Sequence, residues 1–245
     1  MNIFKKNVFL FLLLMPFAAN AIGINAMIQF ADKNDDGSFT VTNSESYRQF
    51  IQVAISSVTI ENGELVKTAY TRENIADWSL TVRPARTVID PGLQKDFTVK
   101  YEPKTTSSLS HDQIYQLTFV PLPYFAEGEA SKKAVQVAVG FAPIYVVPAE
   151  TDQPLDYNMS FTNNGLRFVN KGGTYIRALL DTCETKKTTD CTKVVYVLSG
   201  RDLMVSLSPE MQAANKIKVE LSTHNLTYKK NFVLLKGKTV QYQGK

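Results

Sequence analysis

Short runs of β-branched and aromatic residues, separated by turn residues, recur along almost the whole chain, and helix signals are nearly absent after the first twenty or so positions. The first series is Ser38-Phe-Thr-Val-Thr42, Phe50 to Val58, Trp78 to Val82, Asp96 to Tyr101, Ile114 to Val120 and Ala134 to Val147. Asn62-Gly63, Asp90-Pro91-Gly92 and Glu127-Gly128 punctuate it with residues suited to tight or left-handed turns. A second series runs Leu155 to Phe161, Leu166 to Asn170, Thr174 to Leu180, Lys193 to Leu198, Lys216 to Ser222 and Asn231 to Leu235. A parallel sheet would need amphipathic helices between its strands, so this spacing favours an all-β chain. Pro148-Ala-Glu-Thr-Asp-Gln-Pro154 divides the series, with the linker expected over Val147 to Gln153. Two β-sandwich domains, residues 22–148 and 149–245, are expected in preference to one continuous barrel.

The first residues carry a different signal. Lys5 and Lys6 precede the apolar run Val8 to Ala19, which ends in Ala19-Asn20-Ala21. At about 12 residues the run is too short for a bilayer, which takes roughly 20, and the small residues suit a signal peptidase. Residues 1–21 therefore read as a secretion signal, with the mature chain starting near Ile22. Setting Lys5 and Lys6 aside leaves 25 basic against 23 acidic side chains, a balance that gives no reason to expect a nucleic-acid partner. The two cysteines are Cys183 and Cys191. Outside the cytoplasm they are expected to pair, and a metal site is disfavoured because the intervening residues include no histidine.

The most specific periodicity is Ala134-Val-Gln-Val-Ala-Val-Gly-Phe141. Val135, Val137, Val139 and Phe141 share one face, while Ala134, Gln136, Ala138 and Gly140 share the other. Such a strand is either an ordinary core strand or an edge strand whose apolar face complements a guest. Patterns for nucleophile elbows, phosphate loops, dinucleotide binding and zinc proteases are not found, and no enzymatic activity or cofactor is expected. Asp32, Asn34, Asp36 and Gly37 fit the start of a calcium loop, but its twelfth position is Asn43 where a bidentate carboxylate belongs, so a hairpin turn is expected and no metal.

Several segments carry a family resemblance. Ile51-Gln-Val-Ala-Ile55, the run Trp78 to Gly92 (WSLTVRPARTVIDPG), the run Ile114 to Pro123 (IYQLTFVPLP) and Val135 to Pro148 resemble, in order and at similar spacing, the periplasmic chaperones of chaperone–usher fimbriae. The branch most resembled is the divergent one serving colonisation-factor and common-pilus systems. Residues 166–170 and 175–180 and the two cysteines extend the likeness more loosely.

The resemblance implies two immunoglobulin-like domains set at an angle, a periplasmic location, fimbrial subunits as guests and an outer-membrane usher as recipient. Guests of this family are incomplete sandwiches, to which the chaperone lends a strand: a backbone ladder supplies affinity and side chains of one parity enter the groove. Carried over by position, Val135, Val137 and Val139 are the donor residues, with Phe141 next on that parity. Each valine taken out of water would contribute about 1.5 kcal/mol or more. Better-known members anchor the guest's terminal carboxylate with an arginine in the first strand and a lysine near the domain junction. Here those segments read Ile24-Asn-Ala-Met-Ile28 and Gly140-Phe-Ala-Pro-Ile144, without a basic residue. Arg83 and Arg86 are the candidate replacements; the alternatives are that they are solvated surface charges and that the strand alone suffices. A fimbrial structural or adhesin subunit is the competing function. It would carry its own donor strand in an N-terminal extension, and only a few residues separate the expected cleavage point from the first strand.

Overall fold

The computed structural model describes residues 22–103, 109–124, 139–184 and 188–244. The expected signal segment and Val135 and Val137 lie outside the described residues. Two lobes of sheet, antiparallel except where Ile28–Phe30 joins Ile144–Val147, follow one another along the chain.

The first lobe holds β1 (Ile22–Ile24), β2 (Ile28–Phe30), β3 (Asp36–Asn43), β4 (Gln49–Glu61), β5 (Glu64–Ala69), β6 (Leu80–Arg83), β7 (Arg86–Ile89), β8 (Gln94–Tyr101), β9 (Gln113–Pro123) and β10 (Ile144–Val147). One sheet has the order β1-β3-β8-β6, and the facing sheet runs β2-β10-β9-β4-β5, with β7 also paired to β4. The first strand changes sheets: β1 pairs antiparallel with β3, while β2 pairs parallel with β10. Asn25 makes the crossing between them, its N–H donating to the Thr40 carbonyl and its side-chain oxygen accepting from the Thr40 N–H. Alternation along the strands delivers Phe39, Val41, Phe97, Val99, Leu117, Phe119 and Tyr145 to one core between the sheets. Edge-to-face rings join Phe119 to Phe39 and Phe97 at 5.8 and 5.1 Å.

The second lobe holds β11 (Asp156–Thr162), β12 (Gly165–Asn170), β13 (Ile176–Asp181), β14 (Thr192–Val197), β15 (Asp202–Val205), a single-turn helix (Pro209–Ala213), β16 (Lys216–Ser222), β17 (Lys229–Leu235) and β18 (Lys238–Gln243). Its sheets are β15-β12-β11-β18 and β14-β13-β16-β17, packed around Tyr157, Met159, Phe161, Leu166 and Phe168. Cys183 and Cys191 are joined with an S–S distance of 1.97 Å. The bond closes the loop between β13 and β14, and the expected pairing is present.

Two expectations resolve differently in detail: the strand expected from Trp78 starts later, and the turn expected at Asp32 is present but joins strands of different sheets rather than a hairpin. Trp78 and Ser79 precede β6 rather than starting it. The Trp78 ring stacks on Tyr70 at 5.2 Å and its Nε1–H donates to Asn74, which fixes it against the 3-10 turn Arg72–Asp77. The Asp32 segment is the turn between β2 and β3, where the Asp32 carboxylate accepts the N–H groups of Asn34 and Asp36 at 2.8 and 3.1 Å. No cluster of ligands suited to a metal occurs among the described residues.

Candidate functional site

β9 lies between two different neighbours. Its even-numbered positions face β4, as the bond from the Tyr124 N–H to the Arg48 carbonyl shows at the end of the strand. Its odd-numbered N–H groups point the other way. Leu117 donates to Pro143 at 3.0 Å and Phe119 to Phe141 at 2.8 Å, while Phe141 donates back to Phe119 at 3.1 Å. The next odd positions are Pro121 and Pro123, which have no N–H. Beyond Phe119, this edge of β9 therefore offers carbonyl acceptors and no donors, the arrangement proline imposes on edges.

The segment leading into β10 is pinned at Phe141 and released before it. Phe141 is half-buried against the first lobe's core, whereas Val139, two residues earlier on the same parity, is 64% exposed. Gly140 lies between them, and a Cβ there would stand 2.6 Å from the Phe119 carbonyl oxygen. Only glycine allows the two backbones to approach this closely. Of the four sequence-derived donor residues, the structure thus exposes Val139, turns Phe141 into its own lobe, and does not describe Val135 and Val137.

A second apolar feature covers the outward face of the same sheet. The register aligns Val88, Phe50 and Leu122 across β7, β4 and β9, and beside them Arg86, Gln52 and Val120. Val88 is 39% and Leu122 45% exposed, and Val120 and Tyr124 extend the patch. Sequence reasoning missed this face because β7 is only four residues long and its apolar contribution is Val88 alone. The signal was present in Val120-Pro-Leu-Pro123, where Val120 and Leu122 are the outward pair.

Arg83 and Arg86 do not converge. Arg83 ends β6 and pairs with Thr98 in one sheet, and Arg86 begins β7 beside Gln52 in the other. Both are exposed, and neither forms an ion pair among the described residues.

Residues 24–148 match the profile of the CS5 fimbrial protein N-terminal domain. The chain belongs to this family. A CS5-associated relative is the Escherichia coli "uncharacterized 25.9 kDa protein in CS5 3' region", 23% identical over 163 residues that cover 66% of this chain and 69% of the relative. Among solved structures, the class 5 fimbriae chaperone CfaA aligns with a TM-score of 0.50 at 12% identity, covering 89% of this chain and all of that one. A chain of the Salmonella enterica complex of SafA pilin with the SafB chaperone gives 0.50 at 13% identity, over 89% and 98%. At these identities the likeness establishes a shared fold: the two lobes of this CS5-family chain are a pair of immunoglobulin-like sandwiches.

Proposed function

We propose that this CS5-family chain is a periplasmic chaperone that captures fimbrial subunits by lending them the strand that runs into Phe141, and then delivers them to an outer-membrane usher. The observation that carries this reading is Val139: an apolar side chain left in solvent two residues before an anchored Phe141, at the end of an alternating apolar segment. A strand held on one edge has its other edge free for a guest, and its apolar parity can fill a groove that the guest lacks a strand to close. Val135 and Val137 continue that parity, with Phe141 as the anchor at its end. Residues 22–148 form the subunit-binding domain in this reading and 149–245 the second immunoglobulin-like domain. Of the two candidate arginines, Arg86 is the one in the same sheet as β9, on β7 across β4 from it, and it is the candidate kept for a guest carboxylate. The row Val88, Phe50 and Leu122 stays open when a guest extends the sheet edge, which makes it the surface for a delivery partner. No cofactor enters this mechanism.

Co-expression with candidate fimbrial subunits, followed by purification, tests the proposal. A stoichiometric complex, lost with Val139→Asp, is expected. Purification of the chain alone in the presence of folded subunits, or self-assembly of this chain into fibres, overturns it, the latter in favour of a structural subunit.

A further inference from the structure

Chains of two sandwiches joined by one linker usually bend at the linker, unless the interface between them is large and apolar or is held at more than one point. Here the junction has an apolar centre and a polar tie on each side. In the centre, Phe30 of β2 places its ring 4.6 Å from that of Tyr175 and 4.8 Å from that of Tyr196, both of the second lobe. Val58, Ile114 and Val146 of the first lobe are buried in the same cluster with Tyr175 and Leu198.

The first tie is at the linker. The Asp112 carboxylate, at the start of β9, accepts the N–H of Ala149 in the linker at 3.0 Å and the N–H of Tyr175 in the second lobe at 2.6 Å. Further along the linker, Asp152 accepts the Thr223 hydroxyl at 2.7 Å and the N–H groups of Asn225 and Thr227 at 3.1 Å. The second tie is made by the tip of the β4–β5 hairpin. There the Gly63 carbonyl accepts the N–H of Asp202 at 3.1 Å and the Arg201 guanidinium, and that guanidinium also meets the Glu64 carboxylate at 2.5 Å. Contact is close enough that a Cβ on Gly63, whose φ is +81°, would stand 2.7 Å from the Asp202 Cβ. β4 reaches this far because it is 13 residues long, roughly twice a usual strand.

We infer that the β4–β5 hairpin is a strut: with the Asp112 tie it locks the two lobes at one fixed angle, so that the surface between them is preformed rather than assembled around a guest. One tie would let the lobes rotate about a point, and a second leaves only the line joining the two ties, about which the packing of Phe30 against Tyr175 and Tyr196 resists turning. The side chain that bears this most directly is Arg201, 18% exposed although charged and committed to partners in the other lobe.

Residual dipolar couplings measured on the mature chain test it without any partner. In the wild type a single alignment tensor should fit the amides of both lobes. In Arg201→Ala combined with Asp112→Ala, the lobes should need two tensors, while amide shifts in each core stay in place. Arg167→Ala serves as the control, since Arg167 pairs with Asp202 inside the second lobe, and it should leave one tensor. A wild type that already needs two tensors, or a double variant that still needs one, overturns the strut. Should the double variant fail to fold, Arg201→Ala alone is read in the same way, its side chain lying outside both lobe cores.

Discussion

A methyl group at position 140 has nowhere to go, because the Phe119 carbonyl oxygen is 2.6 Å from where it would sit and belongs to the backbone. Gly140→Ala should therefore push the segment off β9, costing about 1–3 kcal/mol as overpacking does. The expected readouts are a lowered melting temperature and weaker subunit capture; an unchanged melting temperature would contradict the observed approach. The neighbouring side chain behaves oppositely. Val139→Asp alters an exposed residue, so the free chain should melt within a few degrees of wild type, yet an unpaired carboxylate in an apolar groove costs several kcal/mol and should abolish co-purification. Retained binding would sink the lent-strand reading. Alternation placed Val139 and Phe141 on one face, and could do no more: parity does not say where a sandwich ends, and here it ends between them. Asn43 and Asn170 were likewise illegible. Each is a buried amide whose nitrogen ties two carbonyls, of Tyr47 and Ile89 in one lobe and of Thr174 and Val197 in the other, bonds that depend on loops brought together by the fold.

At the scale of elements, the prolines of β9 give the sharpest test of register. Pro121→Val would restore an N–H on the edge that faces the segment before Phe141. If the register holds, that amide gains a ladder bond worth about 1 kcal/mol and is protected from exchange. Free exchange at position 121 would show that the edge is not occupied as the Phe119–Phe141 pair indicates. The disulfide makes a separate prediction. Closing a loop of sequence separation 8 restricts the unfolded chain by about 2–3 kcal/mol, so reduction should lower the melting of the second lobe and leave the first lobe's unchanged. Two reactive thiols in unreduced, unfolded protein would overturn the pairing. Long strands with β-branched cores were legible: β4, β8, β9 and β16 fall where the apolar runs are. β5 and β18 were not, because Glu64-Leu-Val-Lys-Thr-Ala69 and Lys238-Thr-Val-Gln-Tyr-Gln243 are edge strands whose polar residues protect the edge and dilute the pattern. β10 was expected from Ala134, but within the described residues only Ile144–Val147 is continuous strand: Pro143 has no N–H to return to β9, and the pairing resumes only as the single Phe119–Phe141 bridge.

For the whole molecule, stability against pH is set partly at the junction, where two carboxylates titrate with opposite sign. Burial pushes Asp112 above its ordinary value, outweighing the N–H groups of Ala149 and Tyr175 and the nearby His224 ring, with Asp152 adding to the rise. The folded state then holds this proton more tightly than the unfolded chain, so the contribution of Asp112 is greatest in acid and declines as pH rises through its raised folded value. Burial also opposes ionisation of Asp152, but its hydrogen bonds from Thr223, Asn225 and Thr227 together prevail and hold it below the ordinary range. Its stabilisation is present above the unfolded value and is lost as pH falls through the folded one. Urea unfolding between about pH 3 and pH 7 should separate the two, since unfolded aspartates titrate near 3.9. Relative to wild type, Asp112→Asn should be most destabilised at the acid end and converge toward it, or pass it, as pH rises. Asp152→Asn should do the reverse, nearly matching wild type in acid and falling behind toward neutrality. Parallel curves for both variants would mean that neither carboxylate changes its affinity for protons when the lobes fold and dock.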